Sequence, residues 1–181
     1  MQPIDWVFVL IFLCGSGIIV SLILFQKHIQ KKSTNEVQAI FSLALSAGRV
    51  IELPESSADL AYETLDLLFL IKVVRMNPAN ELIITNRLYW CINDNPGAWR
   101  RSTLPNLVDH IESFVAFEPK TAKKIMKLCI LTPDCKNITR YLNEADVEVV
   151  KPADDVWGVH FLRITALADY LTSFDKKQFT K

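Results

Sequence analysis

The sequence predicts a mainly α protein: a single N-terminal transmembrane helix followed by one compact helical domain carrying a small β-hairpin. Three observations predict it. Trp6–Phe25 runs without a charge, an amide or a proline, long enough as a helix to cross the roughly 30 Å hydrocarbon core once. Beyond it, apolar residues recur at helical spacing between capping residues and prolines. Only 147–161 reads as extended chain.

The apolar run predicts an uncleaved anchor rather than a signal peptide. The preceding MQPID carries Asp5 and no basic residue, and no small-residue cleavage pattern follows Phe25. Lys27, Lys31 and Lys32 all lie on the C-terminal side. The positive-inside rule therefore predicts an outer N-terminal stub and a cytoplasmic C-terminal domain. The organisation is a stub at 1–5, a membrane helix at 6–25, a basic juxtamembrane segment at 26–33, a helical domain at 34–175 and a tail at 176–181. Gly17 and Ser21 form a small-xxx-small pair through which two such helices could associate.

Composition adds bounds. The chain has 181 residues and zero formal net charge, with half of its residues hydrophobic. That is enough to bury one ordinary core, and it announces no polyanionic partner globally. Cys91, Cys129 and Cys135 are expected as free thiols in a reducing compartment. The spacing of Cys129 and Cys135 does not suit a zinc knuckle. No cofactor and no metal site is expected.

Within the domain, Ser33 with Glu36 is a capping-box pair opening a helix over about 34–47, which stops at Gly48. Ser56 and Asp59 open the next, running to about Arg75. It is apolar on nearly all sides, which makes it the central core helix. Its Leu68 and Ile71 are expected to be buried. Asn77-Pro78 opens a third helix, through Leu82, Ile83, Leu88, Tyr89, Trp90 and Ile92. Asn93–Gly97 is a loop, and Trp99, Arg100 and Arg101 follow it. These three are a candidate phosphate or headgroup contact, weighed against a packed tryptophan with two solvated arginines. A helix from about 103 to 117 carries Asp109 and His110, neighbours that do not face each other on a helix. The chain closes with a helix over 162–174.

Residues 119–163 hold the one pattern that bears on function. Pro119 opens a helix on which Lys120, Lys123, Lys124 and Lys127 share an arc of roughly 100°. Thr132 and Pro133 open a second helix, with Lys136 and Arg140. Val147–Val150 and Val156–Phe161 are strand candidates. This order resembles a winged helix-turn-helix, and the local excess of basic residues is what a phosphate-contacting surface requires. The resemblance implies nucleic-acid binding. The same stripe suits an anionic lipid surface, or an ordinary solvated face.

The leading expectation is a membrane-tethered, non-enzymatic interaction subunit or adaptor with protein partners. The alternative is a membrane-anchored winged-helix regulator. No catalytic residue is assigned.

Overall fold

The computed structural model of the chain describes residues 3–45, 47–53, 57–94, 106–142, 146–152 and 154–178, without the side chains of 3–15, 106 and 174–178. The fold is mixed α/β, built on two multi-stranded sheets, and this overturns the mainly α expectation.

The chain begins with α1 (Pro3–Ala44). It continues through β1 (Arg49–Ile51), β2 (Leu60–Glu63), β3 (Leu67–Arg75), β4 (Glu81–Asn86), β5 (Tyr89–Asn93) and β6 (Asn106–Leu107). After the short α2 (Ile111–Ala116) come β7 (Lys124–Thr132), β8 (Asn137–Tyr141), β9 (Val147–Val149), β10 (Asp155–Val156), β11 (Val159–Arg163) and α3 (Ile164–Gln178).

The first sheet has the order β1-β2-β3-β7-β11-β10, and the second β6-β5-β4-β8-β9. In the first, β3, β7 and β11 run parallel, flanked by antiparallel pairs. In the second, β4 and β8 are parallel and their outer neighbours antiparallel. The chain passes from the first sheet to the second twice, after β3 and after β7. The two crossings run side by side and are tied by Met76 N–H to Thr132 C=O and Lys136 N–H to Asn80 C=O, at 3.1 and 2.9 Å.

Three layers result. Val37, Phe41 and Leu45 of the α1 end and Leu167 and Leu171 of α3 cover one face of the first sheet, against Phe69, Ile71, Met126, Leu128 and Ile130. The other face packs on the second sheet and α2, through Leu68, Leu70, Cys129, Leu131 and Phe161 against Leu82, Ile84, Trp90, Ile138 and Phe114. Strands in the middle of such a stack are apolar on both faces. This is why Leu67–Val74 and Ile125–Leu131 carry no alternation, and why a strand there reads like a buried helix. Leu68 and Ile71 are buried, but on β3 and on opposite faces of the sheet.

The N-terminal prediction is corrected as well. α1 is continuous from Pro3 to Ala44 and passes straight through Ser33, which is buried within it rather than capping a new helix. Among the described residues, no helix is long and apolar enough to cross a membrane. On α1, residues 18–25 are apolar apart from Ser21. Gln26, Lys27 and His28 follow directly. The single-pass anchor, and the outside/cytoplasmic topology built on it, therefore lose their support. Ile18, Leu22 and Phe25 stand exposed on the described helix.

The winged-helix pattern also dissolves: its two predicted helices are β7 and β8, in different sheets. Val147–Val149 is a strand, but it pairs with β8, while β11 pairs with β7 and β10. The hairpin lies between β10 and β11. Its two-residue loop, Trp157 and Gly158, has φ of 54° and 81°, as a type I′ turn requires.

Gly48 closes the α1–β1 turn. A Cβ there would collide with the ring of Tyr62. That ring cannot swing away, because it is buried against Phe41 and its hydroxyl donates to Leu45 C=O at 2.8 Å. Gly48→Ala is expected to lower stability by about 1–3 kcal/mol, the cost of overpacking, read as a fall in the urea midpoint. An unchanged midpoint would show that the turn relaxes freely.

Candidate functional site

The predicted basic residues do not form one stripe. Side chains alternate across a strand, so Lys124 lies on the α1 side of β7, with Met126, and Lys127 on the second-sheet side, with Cys129. Lys127 Nζ donates to Val115 C=O at 2.6 Å, and burial pushes its pKa down. Lys123 Nζ donates to Thr64 C=O and lies 3.1 Å from Glu63 Oε1. Hydrogen bonds from Lys123, and then from Arg49, hold the Glu63 carboxyl below its usual range. Arg140 is paired with Glu148 at 2.6 Å. Lys120, Lys124 and Lys136 are exposed. Trp99, Arg100 and Arg101 lie outside the described residues.

Two surfaces carry more than the predicted one. The first is the outer face of the second sheet. Its register sets Leu107, Cys91, Ile83, Thr139 and Val149 side by side in one row. Tyr141 and Val147 pair in the next row, with Tyr89 two residues from Cys91 on the same face. The opposite face of these strands holds the core residues Leu82, Ile84, Trp90 and Ile138. Tyr89, Leu107, Tyr141, Val147 and Val149 are all exposed, Val149 to 56%. A solvated face of an antiparallel pair ordinarily alternates to polar residues; here exposed apolar side chains stand at both edges of the face, with Thr139 buried between them. Cys91 lies within the row as a free thiol, and partial burial raises its pKa.

The second is a cleft of about 920 Å³ along an open edge of β3. β2 begins only at Leu60, which pairs with Ile71, so β3 outruns its neighbour by several residues. Side chains replace the missing strand there. Asp59 Oδ2 accepts the Val73 N–H at 2.8 Å, and Gln30 Nε2 of α1 donates to Val73 C=O at 3.0 Å. These bonds spare β3 buried unpaired backbone groups, and they hold α1 across the cleft.

At its floor lies Lys72, only 7% exposed. Among the described residues, its ammonium makes only long contacts: Ser57 C=O at 3.4 Å and Asp59 Oδ1 at 3.5 Å. Gln26 and Lys27 of α1 line one wall, with Arg75, Asn77, Asp109 and His110 elsewhere around it. His110 holds a left-handed backbone, φ 59°, as it enters α2. Among the described residues, no group of three or more His, Cys, Asp or Glu side chains is placed to hold a metal ion.

Sequence reasoning missed this cleft, although a signal was present. Lys72 is the sole charge within the apolar run of β3, and a charge there must be paired once buried. Comparison with known proteins adds nothing to the site: no family model, no curated protein and no solved structure matches the chain.

Proposed function

We propose that this chain is a non-enzymatic protein-interaction module, whose contact surface is the outer face of the second sheet. One observation carries the reading: Tyr89 and Leu107 toward one edge of the sheet, and Tyr141, Val147 and Val149 toward the other, stand exposed on the side away from the core. Two tyrosines among aliphatic residues are the composition of an interface centre, because aromatic side chains bury large areas at low entropic cost. The patch sits on a sheet backed by Leu82, Ile84 and Trp90, so its geometry is held before any partner arrives and little ordering entropy is lost on binding. A nucleic-acid reading would rest on lysines that the fold separates or ties to Glu63 and Val115.

Tyr141→Lys with Val149→Lys tests the proposal. Both positions are exposed, so the urea midpoint is expected to stay within the error of surface substitutions, about 0.5 kcal/mol. Proteins that co-purify with the wild-type chain under native conditions are expected to be lost from the variant. Recovery of the same partners at the same yield would remove this face from the proposal.

A further inference from the structure

We propose that the cleft along the open edge of β3 binds a small organic anion, with its carboxylate or phosphate on Lys72 and its apolar body along the cleft wall. Lys72 is the first reason. A lysine ammonium carries three N–H donors, and a buried one needs close acceptors to offset lost hydration. Here its two acceptors stand at 3.4 and 3.5 Å, well beyond the 2.7–2.9 Å of a charge-assisted bond. Asp59, the nearest carboxylate, is already committed through its other oxygen to the Val73 N–H. The ammonium is thus held in place and weakly satisfied.

The rest of the lining decides between ligand classes. Lys27, Lys72 and Arg75 supply three cations against the carboxylates of Asp59 and Asp109, with His110 as a further donor. The balance favours an anion. Val74, Met76, Ile92, Leu107 and Val108 supply an apolar wall, which a bare inorganic ion would leave unused. A volume of about 920 Å³ falls in the range of small-molecule sites, which combine apolar walls with a few placed polar groups. Gln26, Lys27 and Gln30 of α1 line one side of the cleft, and the buried ammonium of Lys72 is one compact cation within it.

The test uses the full chain with octanoate, phenyl phosphate, inorganic phosphate and a short DNA duplex as probes, followed by calorimetry and by thermal shift. Octanoate or phenyl phosphate is expected to bind saturably and more tightly than inorganic phosphate. Preference between the first two identifies the headgroup. Lys27→Gln with Arg75→Gln changes only the mouth and is expected to weaken binding about three- to tenfold, as loss of charge-assisted contacts does. Lys72→Met, combined with Asp59→Asn so that no lone carboxylate is left behind, is expected to abolish binding. Should that pair fail to fold, the mouth variant still decides. Absence of binding by both organic anions, unchanged affinity in the mouth variant, or binding of the duplex alone would each overturn the assignment.

Discussion

Phe41→Ala is expected to lower the stability of the chain by about 3–5 kcal/mol, the range for a fully buried phenylalanine replaced by alanine. Phe41 is wholly buried, with its ring 5.2 Å from that of Tyr62 and 5.4 Å from that of Phe69. These contacts seat the end of α1 on the first sheet, with Val37 one turn earlier on the helix and Leu45 just past its end in the same cluster. Loss of the ring leaves a void bounded by a helix and a sheet, neither of which can close onto it without displacing the other. Leu43 is the control: it lies two residues away, 86% exposed, and Leu43→Ala is expected to stay within about 0.5 kcal/mol. Chemical denaturation of both variants checks the pair. Equal midpoints would show that α1 does not dock on the sheet, and would remove one wall of the cleft with it.

Asp59→Ala is expected to cost about 3–5 kcal/mol, the penalty for removing one partner of a buried ion pair. The carboxylate has two tasks, and alanine performs neither. It accepts the Val73 N–H at 2.8 Å, where no strand is present to do so. It is also the counter-charge nearest to buried Lys72. Adding Lys72→Met to Asp59→Ala is expected to recover a large part of the loss, because it removes the stranded charge, while the orphaned Val73 amide still costs about 1–3 kcal/mol. The double-mutant cycle reads the coupling directly. If the two changes prove additive, the ion pair contributes nothing, and Asp59 acts only as the cap of the β3 edge.

The elements legible in the sequence are those whose signals are local. The last helix, expected over 162–174, is α3 at Ile164–Gln178, because its apolar residues recur at helical spacing and it covers only one face of the sheet. The end of α1 near Gly48 was legible for a similar reason, a glycine just past a periodic segment. Val147–Val149 showed the alternation of a strand, although its valines face outward and Glu148 is the half-buried residue.

The central strands gave no such signal. β3 and β7 are buried on both sides, so neither a period of two nor one of 3.6 survives in their sequences. Their β-branched content and length of nine residues were the remaining indications of strand. Leucine-rich runs and N-terminal-looking prolines at Pro78 and Pro133 outweighed these, yet both prolines lie between strands. The basic stripe failed as a consequence: an arc computed at helical spacing scatters onto two faces once the segment is β7.

Both candidate surfaces depend on strand pairing that no local window records. The outer patch joins Leu107, Cys91, Ile83, Thr139 and Val149 only through the register of five strands. Lys72 and Asp59 meet only because β2 folds back on β3 and then ends short of it. Composition and local periodicity determined that there is a core and where some elements stop. Which face each strand buries, and which charges come together at the open edge of β3, follows from non-local pairing, because a side chain's partner in a sheet is set by register and not by its neighbours in the chain.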